Sequence, residues 1–248
     1  LYLFYLDSTG ALPVVSARGA GSIIVLADAD TGYIHLEPVI GRTGPALTKA
    51  FKDAIQWFRE HTVFAKRLRM DNELSREMRQ VAKSFGLDLE LCPPGNHRAN
   101  AAERHIRTLK DHFTSVLATT DPCFPATAWD LLLPQTELTL NVLRPCASDS
   151  SISAWERVCG PWDFSARPIA PMGTRVLIFE GRDDRRSWEP HGKEGWYVGP
   201  AQEHYRCYRV LVEDTHGVRV SDTLSWHPSR LVFPRETIWE ALTDAVLR

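Results

Sequence analysis

The chain has 248 residues, of which 44% are hydrophobic and 24% charged, and its formal net charge is −2. These proportions exclude a largely disordered chain, and the length predicts two domains rather than one. No window has the roughly 18 uncharged apolar residues of a membrane span, and no signal peptide is visible. The five cysteines include no Cys-x-x-Cys pair, which predicts reduced, intracellular thiols rather than a zinc site or a disulfide framework. Because the net charge is near zero, any contact with nucleic acid must be local.

The first half of the chain predicts a mixed sheet with helices on its faces. Apolar runs at 1–6, 22–27 and 33–39 are separated by short turns and predict three antiparallel strands. Helices and strands then alternate, with helices at 44–61 and 75–85, strands at 66–70 and 88–92, a helix that Asn100 caps and a helical stretch at 126–143. Pro134 predicts a kink in the last of these. The fold class is therefore α/β, with a five-stranded mixed sheet flanked by helices.

The second half of the chain is rich in proline at first and then in short predicted strands. Prolines between 144 and 171 predict a linker, interrupted by a short amphipathic piece at 152–158. Short strands follow at 174–180, 195–198, 205–213 and 218–224, and their regular spacing predicts a small β-barrel. A last helix is predicted at 235–248. The domain boundaries are thus 1–145 for the first domain, 146–171 for the linker, 172–234 for the barrel and 235–248 for the helix.

Three carboxylates have related positions. Asp7 and Asp71 follow predicted strands, and Glu103 lies in the first turn of the helix that begins after Asn100. Three converging acids repel one another and are tolerable only around cations, and an open acidic cluster of this kind suits Mg²⁺ with substrate phosphate oxygens. The alternative for Glu103 is a capping box with an i,i+4 ion pair to Arg107. Asp28 and Asp30 compete with Asp7, but turn acids usually bond to the local backbone.

Three motifs in order carry a family resemblance. LDSTG at 6–10, RMDNELS at 69–75 and NAAERHIRTLK at 100–110 together resemble the catalytic core of retroviral and retrotransposon integrases. That core is a ribonuclease-H-like fold with an Asp, Asp, Glu triad, and the similarity is greatest to copia-type elements. Further similarity at 139–145, 171–180 and 194–210 extends it over nearly all of the chain.

The resemblance implies roles for particular residues. Asp7, Asp71 and Glu103 would be catalytic and would hold two Mg²⁺ or Mn²⁺ ions. Contacts to DNA would come from Asn72, Arg98, Asn100, Arg104, Arg107 and Lys110. The implied activity is 3′-end processing and strand transfer, with element cDNA ends and target DNA as double-stranded partners and a homo-oligomer as the active form. The implied location is intracellular, in a cytoplasmic particle first and in the nucleus when host DNA is the target.

The sequence also departs from this family. The Gly-Gly-Glu-Phe-like run that usually follows the second Asp is replaced by residues 73–75, and the loop before Glu103 holds Gly95 followed by Asn96, His97 and Arg98. A His/Cys zinc module should precede the core and does not, as in a piece cut from a longer protein. Two alternatives follow: a truncated element protein that only binds nucleic acid or its own copies, and a ribonuclease-H-like nuclease or transposase.

The C-terminal aromatics and the histidines carry weaker signals. Trp188, Trp196, Tyr197, Tyr205 and Tyr208 are expected to form the core of the barrel, with contact to DNA or a partner as the alternative. No histidine has zinc spacing with a cysteine. We expect His105, His112, His191 and His204 to be surface or packing residues, and only His97 to reach the acidic site.

Overall fold

The computed structural model describes residues 2–70, 75–92, 101–180 and 191–227, and the apolar runs of its first half form one five-stranded sheet. The order of the strands is β3-β2-β1-β4-β5. Strands β1 to β3 are antiparallel, whereas β4 and β5 run parallel to β1. The bounds are Leu3–Ser8, Ala20–Asp28, Ile34–Ile40, Arg67–Met70 and Asp88–Leu91. This is the five-stranded mixed sheet of an α/β fold that the sequence predicts, so the fold class is confirmed.

Five α-helices lie in the part of the chain that the structure describes. They are α1 Gly44–Glu60, α2 Arg76–Ser84, α3 Ala102–Ala118, α4 Leu133–Val142 and α5 Ala154–Cys159. Side-chain hydroxyls of Thr43, Ser75 and Ser153 cap α1, α2 and α5 by accepting backbone N–H groups of the first turn. The helical stretch predicted at 126–143 is present and is divided beside Pro134: a 3₁₀ helix, Ala126–Leu132, precedes α4, and Pro134 lies in the first turn of α4. Proline is tolerated there because its missing N–H has no intrahelical partner.

The chain divides into two compact units that are not continuous in sequence. The first contains the described residues up to Asp111 and those from Ala126 to Trp162, and the second contains His112–Pro125 and the described residues from Asp163 onward. Residues 146–162, which the sequence assigns to a linker, therefore lie in the first unit, where α5 buries Trp155. The predicted helix at 235–248 lies outside the described residues.

The second unit contains a five-stranded antiparallel sheet of order β10-β6-β7-β8-β9. Its strands are β6 Arg175–Phe179, β7 Gly192–Pro200, β8 Tyr208–Val212, β9 Val218–Ser221 and β10 Leu224–Trp226. The stretch at 218–224, predicted as one strand, is thus divided between two. The expected aromatic core is confirmed for Trp196 and Tyr197, which are buried, but Tyr205 is exposed. Trp188 lies outside the described residues.

Strand β3 is an edge of the first sheet, and side chains of α4 satisfy its outward backbone groups. Asn141 accepts the Ile34 N–H at 2.9 Å and donates to the Ile34 carbonyl at 2.8 Å. Glu137 accepts the Leu36 N–H at 2.9 Å. The two side chains take the place of a neighbouring strand, so this edge is not open to pairing with another chain.

The same Glu137 anchors a buried histidine. Its Oε1 accepts the Tyr33 hydroxyl at 2.8 Å and lies 3.0 Å from His35 Nδ1, while the other ring nitrogen of His35 lies 3.5 Å from Glu37. The His35 ring also stacks on Trp57, with centroids 4.4 Å apart. Burial by itself would lower the pKa of His35, but the two carboxylates outweigh it and raise the pKa to about 9.

Candidate active site

Asp7 lies in the central strand of the first sheet. The predicted strand ends one residue before it, but β1 continues through Ser8 and pairs Asp7 with Val25 of β2. The side chain is half-buried, and its Oδ1 accepts the Ser8 N–H at 2.7 Å. The carboxylate is therefore held on a rigid element.

Met70, the residue before Asp71 in the sequence, lies at the end of β4. Strand β4 runs parallel to β1, with Tyr5 opposite Arg69, and it ends at Met70. Asp7 and Met70 line one cavity of about 210 Å³ at this end of the strands. Asp71 and Asn72 themselves lie outside the described residues.

Glu103 lies in the first turn of α3 and is exposed. Alternation along β1 points Phe4 toward α1, where its ring contacts Phe58 at 4.7 Å, so Tyr5 and Asp7 face the other side of the sheet. On that side Tyr5 lies 6.3 Å from the His105 ring of α3. The contact brings the beginning of α3 to the sheet face of Asp7.

Helix α3 separates a buried stripe from a cationic face. Ala102, Ile106, Leu109 and Phe113 are buried as predicted, and Val116 is half-buried. Arg104, Arg107 and Lys110 are exposed on the helix, as contact with a polyanion requires. Arg98, Asn100 and His97 lie outside the described residues, so the proposed Asn100 cap does too.

Asp28 is excluded as an alternative to Asp7. It is buried at the end of β2, and its Oδ2 accepts the backbone N–H of Thr31 at 2.9 Å and the Thr31 hydroxyl at 2.7 Å. The carboxylate thus closes the turn between β2 and β3, the role that turn acids usually have.

Two basic residues, His105 of α3 and Arg144, have lowered pKa values that the sequence did not predict. Burial, reinforced by the charges of Arg144 and Arg104, lowers the pKa of His105 to about 4. Burial also lowers the pKa of Arg144. Helical spacing places His105 between Ala102 and Leu109 on the buried stripe, so the burial of His105 could have been predicted from the sequence. Arg144 has no such signal, because its surroundings come from other parts of the chain.

No group of three His, Cys, Asp or Glu side chains that could hold a metal ion occurs within residues 2–70, 75–92, 101–180 and 191–227. The proposed set includes Asp71, which lies outside these ranges. Asp7 is among the residues that line the cavity, and carboxylate oxygen is the donor type that Mg²⁺ and Mn²⁺ prefer.

Two histidines of the first unit are expected to give the free energy of unfolding opposite dependences on pH. Because the pKa of His105 is lowered to about 4, the unfolded chain binds a proton first as the pH falls below 6.5, and stability is lost toward pH 4. Because the pKa of His35 is raised to about 9, its contribution is complete below pH 6.5 and is lost as the pH rises toward 9. Each effect should be on the order of 2–3 kcal/mol.

Urea unfolding across this pH range checks the acid limb. His105→Gln should flatten the loss of stability below pH 6.5, because the variant no longer has a proton to bind there. His204→Gln is the matched control, since His204 is an exposed histidine of the second unit. An acid limb of unchanged slope in His105→Gln would remove His105 as its cause.

Similarity to known proteins is found among solved structures. No protein-family model matches the chain, and no curated protein matches it. Among solved structures, it is similar to a chain in a cryo-EM structure of the simian T-cell lymphotropic virus intasome in complex with PP2A regulatory subunit B56 gamma. The sequences are 16% identical, the match covers 94% of this chain and 79% of the other, and the TM-score is 0.49. In the part of the chain that the structure describes, no helix is both long and apolar enough to cross a membrane.

Proposed function

We propose that this chain is a retrotransposon integrase of the copia type, a divalent-metal-dependent polynucleotidyl transferase that processes and joins DNA 3′ ends. The observation that carries the proposal is the cavity shared by Asp7 and Met70, because Met70 directly precedes the second acid of the motif. The contact between Tyr5 and His105 supports it by bringing the beginning of α3 to the sheet face of Tyr5 and Asp7, while the cavity is also lined by Leu47 of α1 and Met78 of α2.

In this proposal each acid has the same task. Asp7, Asp71 and Glu103 would hold two Mg²⁺ or Mn²⁺ ions, and their carboxylate oxygens suit these hard cations. When bound, a pair of ions supplies charge stabilisation to the attacking and leaving oxygens of a displacement at phosphorus. The half-burial of Asp7 in the central strand fixes its carboxylate before substrate arrives.

The cations of α3 would bind the substrate backbone. Arg104, Arg107 and Lys110 are exposed on one helix and would neutralise phosphates beside the acids. Asn72, Arg98 and Asn100 would add contacts to the same strand. The proposal implies double-stranded DNA as partner, a homo-oligomer as the active form, and action in the nucleus.

A branched oligonucleotide that mimics the joined product tests the activity without knowledge of the natural DNA ends. Incubated with the whole chain and Mg²⁺, it should be resolved into two duplexes by the reverse of joining, and EDTA should prevent this. A chain that binds the substrate but never resolves it, with either Mg²⁺ or Mn²⁺, would leave only a nucleic-acid-binding protein. Cleavage of an RNA–DNA hybrid without joining would assign a nuclease instead.

A further inference from the structure

Arg144 carries a partly buried guanidinium. It follows α4, and its backbone carbonyl accepts the N–H of Ala154 at 2.9 Å, so its main chain is held in place. The side chain is half-buried, and its buried Nη1 has no hydrogen-bond partner among the described residues. A buried guanidinium N–H group without an acceptor is costly, because it has lost its hydrogen bonds to water.

Arg144 and Arg104 lie near the same side chain of α3, His105. Its charge and that of Arg104 both act on the His105 ring, which is neutral at pH 7 and contacts Tyr5 on the sheet. Arg107 and Lys110 continue the cationic surface along α3. From Arg104 to Lys110 the helix rises by about 9 Å, which is long enough to follow a polyanion past a single phosphate.

We propose that Arg144 and Arg104 bind one phosphodiester group of a nucleic acid on the α3 face of the sheet. This inference rests on the proposed function, because it assigns a further contact for the same DNA. A phosphate oxygen would supply the acceptor that Nη1 lacks, and the planar guanidinium matches two phosphate oxygens at once. The anion would also offset the repulsion between the two arginines, which gives it a preferred position.

The proposal predicts opposite signs for binding and stability when the charge is removed. Arg144→Met keeps much of the aliphatic stem and removes the guanidinium. The affinity for a labelled duplex oligonucleotide should fall at least about tenfold, the scale of one hydrogen bond to a charged group. Between about 50 and 200 mM salt, the slope of log K against log[salt] should become shallower by about 0.9. The free protein should unfold at the same or a higher urea concentration, because an uncompensated buried charge has gone.

The assay is done by fluorescence anisotropy in EDTA, so that it does not depend on catalysis. Lys52→Met is the matched control: Lys52 is exposed on α1, which packs on the opposite sheet face, and its loss should leave the slope unchanged. Arg144→Lys should retain the slope but bind less tightly, because an ammonium lacks the planar fork.

Two results would overturn this assignment. If Arg144→Met binds DNA with the affinity and salt slope of the unmodified chain, the phosphate contact does not exist. If Arg144→Met unfolds at markedly lower urea, the guanidinium has a structural role instead. Either result leaves resolution of the branched substrate intact if the proposed function is right, so the two proposals fail separately.

Discussion

Asp7→Asn is expected to lower the rate of strand joining by roughly 10²–10³-fold, the scale of removing one electrostatic group from an active site. The amide has nearly the same shape and keeps the oxygen that accepts the Ser8 N–H, so the strand should be undisturbed. What it loses is the negative charge that would hold a cation beside the phosphate. Resolution of the branched oligonucleotide in Mg²⁺ measures the rate, and urea unfolding checks that the fold is retained.

Asp30→Asn is the matched control for this prediction. Asp30 is an exposed acid of the turn after β2, so the variant has the same change of charge away from the site and should resolve the substrate at the unmodified rate. Asp71→Asn and Glu103→Gln should be as inactive as Asp7→Asn. Any one of the three that joins DNA at the unmodified rate would have to be removed from the site.

Glu137→Ala is expected to lower the free energy of unfolding by about 3–5 kcal/mol, the cost of breaking a buried ion pair by removing one partner. The truncation removes the main carboxylate partner of the buried His35 ring and the acceptor of the Tyr33 hydroxyl. It also removes the acceptor of the Leu36 N–H group on β3, the edge strand. Urea unfolding at pH 6.5 measures the loss.

Glu60→Ala provides the comparison for the second prediction. Glu60 is an exposed residue of α1 that accepts only the Gln56 amide in the described structure, and its loss should change stability by less than about 0.5 kcal/mol. Glu137→Gln should fall between the two, because it keeps an acceptor but loses the charge that raises the pKa of His35. A loss below about 1 kcal/mol in Glu137→Ala would mean that water replaces the carboxylate.

Much of the fold could be predicted because local sequence determines it. Apolar runs predicted β1 to β5 in their order along the chain, and spacing of apolar residues predicted α1 and the buried stripe of α3. The prediction was wrong where local preference is weak. A single strand at 218–224 fits its sequence, but the structure divides this stretch between β9 and β10.

Some residues of the candidate site could be predicted from the sequence, and other polar residues could be recognised only in the structure. Motif order and strand ends pointed to Asp7 and Glu103 without any knowledge of contacts, and the exposure of Arg104, Arg107 and Lys110 agrees with the predicted cationic face. His35, Glu137 and Arg144 could not be recognised, because a polar residue is remarkable only when its surroundings are buried. Those surroundings come from segments that lie about 100 residues away in the chain, as the His35–Glu137 pair does.

The amino-acid sequence by itself determined the alternation of elements, the fold class and the acids that can form a site, since these depend on periodicity and on neighbours within a few turns. Tertiary structure alone decided that Asp7 lies within a strand beside the end of β4, that α4 closes the β3 edge, and that the buried Nη1 of Arg144 has no hydrogen-bond partner among the described residues. The physical reason is desolvation: the energy of a charge or a polar group is set by what surrounds it, and only the folded chain brings those surroundings together.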